Sequence, residues 1–355
     1  MSRTLRILMN ISQYDYGRRE LGYSFEYDTF YNYFEKKDYQ VVLFDYLICF
    51  NKGGKELVDK KLRQILKQQH FDLIFTFPMA DHFLISTLEV IKKQHTGAIS
   101  LAWMADDKWR WENYSQFFAP HFDFVVTTDP GAIAKYQSIN YQHALLSQWA
   151  HDPSIFRKFK KIDQHFDVVF IGGSSAWRQY IIKRLQQKGI NVHCYGTGWP
   201  NGRLSVKEIV QKYNQACIVL NLSNSAQAYL PFLFWTQSPK WCGSIKASIT
   251  HSLPGLVEFI TTPKRREDIK ARFFEVTGCG AFLLSYPVEH LDSYLRANKD
   301  LVTYTSLNDL VKKINYFLCH EDDREKIAKC GYQATLSNHT YDQRFKQIFT
   351  EIGLI

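Results

Sequence analysis

The chain has 355 residues, of which 45% are hydrophobic, 22% charged and 15% aromatic; its 44 basic and 35 acidic side chains leave a formal charge of +9. That length exceeds one ordinary core and suits two domains, while the lack of low-complexity tracts and of any run of eighteen apolar residues excludes a disordered chain and a transmembrane helix. The charge is uneven, net +2 over residues 1–160 and +7 over the rest, a bias that suits a phosphate-rich small ligand, an anionic membrane surface or nucleic acid.

The N-terminus enters a short strand at residues 6–10 with no signal-peptide features, so a cytoplasmic chain is expected. Gly17 and Gly22 punctuate the following loop, and a helix is expected to about residue 37. Strands follow at 40–45, 71–77 and 98–104, with helices at 55–69 and 82–93 between them. Two more strands, 122–128 and 144–147, complete the half. Residues 152–164 are polar and basic and read as a linker.

The alternation then restarts: strand 166–171, helix 177–188, strand 191–195, helix 205–214 opened by a Ser205/Glu208 capping box, and strand 217–222. The stretch 223–263 is irregular and rich in aromatics, as a lid or acceptor loop would be. A helix over 267–275, a glycine break at Gly278 and Gly280, and a strand over 281–284 follow. Helices over 307–318, 322–330 and 341–352 close the chain. Alternation at this spacing predicts two doubly wound α/β domains, residues 1–153 and 154–340, with 341–355 a terminal helix.

Seven cysteines at irregular spacing, without a Cys-x-x-Cys pair, fit reduced thiols and argue against a zinc site. The basic clusters 157–161 and 264–266 suit solvated surface, or peripheral contact with anionic lipid. No recognisable motif supports nucleic acid.

Five places suit chemistry. Gly172-Gly173-Ser-Ser after a strand, with Arg178, offers backbone amides and a cation to a phosphate; a tight strand–helix turn explains it equally well. Gly196-Thr-Gly198 leaves room for a flat base, or is an ordinary turn. Asp106-Asp107 stands at the carboxyl end of a strand, where ligands bind; the pair could instead bind a divalent ion, or cap a helix. Arg272 and Glu275 share one helix face, where a carboxylate accepts hydrogen bonds from vicinal hydroxyls. His339-Thr-Tyr341 with Arg344 opens the last helix in a structural role.

The run from Lys270 to Ser285, with Arg272-Phe-Phe-Glu275 and Gly278-Cys-Gly280, resembles the glutamate–glycine segment of GT-B glycosyltransferases, most closely the CgeB/YkvP-like branch associated with spore proteins. The likeness covers roughly 165–350 well and the first half by pattern. It implies a GT-B fold, two Rossmann-like domains facing a cleft, with the terminal helix returning to the first. It also implies transfer of a sugar from a nucleotide-diphosphate sugar to an unknown acceptor, with no cofactor and no metal. Donor contacts are expected from Gly172, Gly173, Arg178, Gly196, Gly198, Arg272, Glu275 and Gly280, with Glu275 on the ribose. Catalytic contacts are expected from Asp106 and Glu267, whose Glu-x7-Glu spacing to Glu275 implies a retaining outcome. The chain lacks the glycine-rich run usual between those glutamates, which leaves the stereochemistry open. A non-catalytic sugar- or nucleotide-binding protein of the same fold, and a sugar-nucleotide epimerase, are the alternatives.

Overall fold

A computed structural model describes residues 4–94, 97–160, 165–222 and 268–355. These form two compact units, 4–148 with 346–355, and 149–222 with 268–345. Glu267 and the 223–263 stretch lie outside the described residues.

In the first unit β1 (Arg6–Ile11), β2 (Gln40–Asp45), β3 (Leu73–Thr76), β4 (Ile99–Met104), β5 (Phe124–Thr127) and β6 (Ala144–Leu146) form one sheet in the order β2-β1-β3-β4-β5-β6. Every pairing is parallel. Ile7, Leu8, Met9, Leu73, Ile74 and Phe75 are all buried, so these strands read as continuous apolar runs because both faces are covered. Helix α1 (Tyr46–Gln68) begins earlier than the sequence suggests, because Asp45 caps the amides of Leu47 and Ile48. Gly53 and Gly54 break it, and the segment after them is the helix expected from residue 55. Helix α2 is Ile85–Gln94.

The helix expected up to residue 37 forms over residues 25–35, wound as a π-turn in its middle (Tyr27–Tyr31) and closing on one α-turn (Asn32–Glu35). Helix α3 (Pro130–Ser138), capped by Asp129, was not expected; it buries only Ala132 and Tyr136 and leaves little apolar periodicity to read. The last ten residues supply Phe349, stacked on Phe34 at 5.9 Å.

In the second unit β7 (Phe166–Ile171), β8 (Val192–Tyr195), β9 (Ala216–Asn221), β10 (Leu283–Ser285) and β11 (Val302–Thr303) form a sheet in the order β11-β10-β9-β7-β8. It too is parallel throughout. Its helices are α4 (Ala176–Gln186), α5 (Val206–Gln215), α6 (Arg272–Gly278), α7 (Leu307–Cys319) and α8 (Glu321–Asn338), and α9 (Tyr341–Glu351) opens here. The Ser205/Glu208 capping box forms as expected. Strand β7, first in the unit, pairs with β8 on one side and β9 on the other. The winding reverses there, and in such sheets ligands gather beyond the carboxyl ends of the strands at this switch point.

The helix expected over 267–275 begins only at Arg272, and residues 268–270 are non-helical. Gly278 stays inside it, and the break falls at Gly280 alone. The amide of Gly280 donates to Thr277 O and that of Ala281 to Val276 O, the paired bonds of a Schellman end, with Gly280 at φ +68 in the left-handed region. Among the described residues no helix is long and apolar enough to cross a membrane.

Candidate functional site

Beyond β7 the chain turns through Gly172, Gly173 and Ser174, and the loop after β8 folds onto it. The Gly172 amide donates to Tyr195 O and the Ser174 amide to Thr197 O, both at 2.8 Å. Trp199 Nε1 donates to Gly172 O at 2.8 Å. Gly196 lies at φ +127, and a Cβ there would stand 2.4 Å from Gly172 O, so glycine is what lets the loops close. Gly198, at φ +83, leaves similar room beside Ser174. Gly172, Gly173, Gly196 and Gly198 thus share one rim. The exposed Gly173 amide makes no hydrogen bond to another described residue.

Two arginines meet at this rim. On α4, Arg178 donates from Nη1 to Gly173 O at 2.6 Å and from Nε and Nη2 to Leu222 O at 3.2 and 3.0 Å. On α6, Arg272 Nη1 donates to Asn221 Oδ1 at 3.1 Å, and Asn221 Nδ2 donates to Ser285 Oγ at 3.0 Å. Both guanidinium groups lie against the Phe170 ring, at 5.5 and 5.9 Å. A Cβ on Gly172 would stand 3.2 Å from Arg272 Nη2 and 3.7 Å from Arg178 Nη1. Burial, and then the charge of Arg272, bring Arg178 down to about 10. Two cations held together and partly desolvated make a place that an anion relieves.

Glu275 follows Arg272 by one helical turn and is half-buried. Burial pushes its carboxyl up to about 7, and the charge of Arg272 opposes this only in part. Among the described residues its carboxylate has no hydrogen-bond partner. The buried Tyr213 of α5 stands beside both Arg272 and Glu275. The site therefore offers two cations, an exposed amide and an acceptor carboxylate along one edge.

The other sequence candidates lie elsewhere. Gly280 sits at the opposite sheet edge, where its Cβ would meet Lys158 Cδ at 2.7 Å. Gly278 packs on His151, whose ring would be 2.1 Å from a Cβ there; burial holds that imidazole at about 4. In the last-helix motif Arg344 donates from Nη2 to His339 Nδ1 at 2.8 Å, and His339 Nε2 donates to Tyr294 O at 2.7 Å. This chain keeps His339 neutral, and its pKa falls to about 4 through burial and then Arg344.

In the first unit Asp106 follows β4 at φ 64, precedes the short helix Asp107–Arg110, and makes no side-chain cap. Aspartate tolerates that left-handed conformation better than most residues. Asp107 is fully buried and accepts from Tyr136 Oη at 2.9 Å, with burial raising its pKa to about 6. The adjacent pair therefore does not present two carboxylates to one cation. Among the described residues no group of three or more His, Cys, Asp or Glu side chains is placed to hold a metal.

Sequence reasoning missed Phe170, Asn221 and Tyr213, the side chains that seat the two arginines. The available signal was Asn221, a polar residue ending an apolar strand.

The family model described as glycosyl transferase-like matches residues 178–350, which include both arginines and Glu275. Spore protein CgeB of Bacillus subtilis (strain 168) is 22% identical over 245 residues, 62% of this chain and 65% of that protein, so the match spans just under two thirds of that relative's length. Among solved structures, HepE of Anabaena in complex with UDP and glucose superposes with a TM-score of 0.62 at 11% identity, over 99% of this chain and all of HepE. A glycosyltransferase of Rickettsia africae gives 0.55 at 11% identity over 98% and 97%. Sucrose-phosphate synthase of Thermosynechococcus elongatus gives 0.54 at 11% over 84% and 78%. The two parallel sheets with their covering helices are those of the GT-B fold.

Proposed function

Over residues 178–350 the chain belongs to the glycosyl transferase-like family, on a GT-B fold, and from that premise we propose that it transfers a sugar from a nucleoside-diphosphate sugar to an acceptor. The observation that carries the reading is the convergence of Arg178, Arg272 and Glu275 beyond β7. In such a transfer the bond between the anomeric carbon and the diphosphate oxygen breaks, and its electron pair stays with the diphosphate. The acceptor oxygen bonds the anomeric carbon and loses its proton. Charge grows on the leaving oxygen, so preorganised cations there lower the barrier.

Arg178 and Arg272, with the Gly173 amide, take the diphosphate; Glu275 takes the ribose hydroxyls; and the loop with Gly196 and Gly198 adjoins the base. Asp106, in its left-handed conformation after β4, is assigned to the sugar and acceptor. Glu267 keeps the role its spacing implied, on the transferred sugar. Fixed cations make the diphosphate's departure independent of a metal.

HepE has been captured with UDP and with UDP-glucose, so UDP-glucose is the first donor to try. Release of UDP from it, with glucose appearing on water or an added acceptor, is the expected result. A protein that binds UDP without ever consuming a sugar nucleotide would be a binding protein of this fold. One that alters the donor's sugar without releasing UDP would be an epimerase.

A further inference from the structure

On the amino edge of the second unit's sheet, opposite the arginine site, lies a groove of about 690 Å³. Its floor is the start of β9 at Ala216 and the approach to β10 through Cys279, Gly280 and Phe282. Its rim is basic: Lys158 and Lys160 from the chain before β7, and Lys326 and Lys329 from α8. These four lysines are exposed, and none forms an ion pair with another described residue. Arg324 is buried beneath this rim, its Nη1 donating to Phe317 O at 2.6 Å and its Nη2 to Glu321 at 3.4 Å, so the groove's surplus charge is that of the lysines. Among the described residues, Asp322 and Glu325 are the acids lining it.

The position of Lys158 is fixed by its surroundings. Gly280 has no side chain, and the Lys158 stem crosses that gap, 2.7 Å from where a Cβ would be. This sets Lys158 Nζ 5.8 Å from the centre of the Tyr332 ring. A concave site with a surplus of one sign focuses its field and raises the local concentration of opposite charge. The volume is that of a small-molecule pocket. No large hydrophobic side chain among the lining residues is exposed, which is what insertion into a bilayer would use.

We propose that this groove binds a soluble, multiply phosphorylated small molecule and that its occupancy alters donor affinity through α6. That helix carries Arg272 and Glu275 near its start, and Cys279 and Gly280, which line the groove, follow its end. Tyr213 also belongs to both places, lining the groove and standing beside Arg272 and Glu275. Coupling between two bound ligands is reciprocal, so each must change the other's affinity by the same factor.

Inorganic tripolyphosphate is the probe, titrated by calorimetry into the full chain saturated with UDP so that the arginine site is occupied. Binding is expected in the unchanged protein and in Arg272→Ala. The double variant Lys326→Glu, Lys329→Glu should bind at least about tenfold more weakly, because two partly screened contacts become repulsive. The converse titration, UDP with and without tripolyphosphate, should show a shift in Kd that the double variant loses, which separates coupling from direct competition at the arginine site. An equal Kd in the double variant, with its melting temperature unchanged, overturns the site. Binding of phosphatidylglycerol vesicles without binding of tripolyphosphate overturns it in favour of a membrane surface. Tripolyphosphate binding that leaves the UDP Kd unchanged overturns the coupling. The coupling rests on the donor reading, but the groove does not: loss of UDP binding alone would sink that reading and leave tripolyphosphate binding standing.

Discussion

Nucleotide affinity should depend on pH through Glu275. Its carboxyl titrates at about 7 because burial disfavours the charge. Ribose hydroxyls donate hydrogen bonds, so they need the ionised carboxylate. If only that form binds, the apparent Kd rises as the protonated fraction grows. With a midpoint of about 7, affinity should fall about tenfold from pH 8 to pH 6, since the competent fraction drops from nearly all to about a tenth. The same shift means that the folded chain holds a proton the unfolded chain has released between 4.5 and about 7. Glu275 therefore lowers stability as pH rises through that window. Calorimetric titration of UDP at several pH values, beside Glu275→Gln, isolates the term from ionisation of the nucleotide itself. The variant should bind more weakly at pH 8 and lose most of the extra pH dependence. Identical pH profiles for the two proteins would refute the assignment of Glu275 to the ribose.

Gly278→Ala should destabilise the second unit. The new Cβ would fall 2.1 Å from the buried His151 ring, and overpacking of roughly 1–3 kcal/mol outweighs the gain of about 0.5–1 kcal/mol from alanine in a helix. Thermal melting of Gly278→Ala, His151→Ala and the double variant should show a double-variant cost below the sum of the single ones; strict additivity would contradict the contact. Asp106→Asn should lower turnover of a sugar nucleotide while the UDP Kd stays within about twofold, because the role proposed for it is with the sugar and acceptor rather than the nucleotide. EDTA should leave that turnover within about twofold if, as proposed, protein cations serve the leaving group; rescue of an abolished rate by magnesium or manganese would overturn the metal-free reading.

Much of the scaffold was legible because parallel strands covered on both faces are nearly unbroken apolar runs. Residues 166–171 and 40–45 are strands to the residue. Strand β11 is only two residues long and carries no pattern to read. Gly172, Gly173, Gly196 and Gly198 were legible as glycines in turns, but that the two loops hydrogen-bond to each other depends on the β7–β8 register. The seating of Arg272 by Asn221 likewise follows from β9 lying between β7 and β10. Gly280 shows the limit of a single glycine: a helix end and a close ligand approach demand the same residue, and only the backbone shows the Schellman bonds.

The central claim is that the loop beyond β7, with Arg178, Arg272 and Glu275, holds a nucleoside diphosphate. Its most direct measurement is the affinity of UDP and of uridine for the unchanged protein and for Arg272→Ala. Loss of a charge-assisted contact to phosphate should weaken UDP by roughly 1.5–3 kcal/mol, about ten- to a hundredfold, while uridine, which lacks the diphosphate, changes little. An unchanged UDP Kd in a folded Arg272→Ala protein, or an equal loss for uridine, would contradict the account.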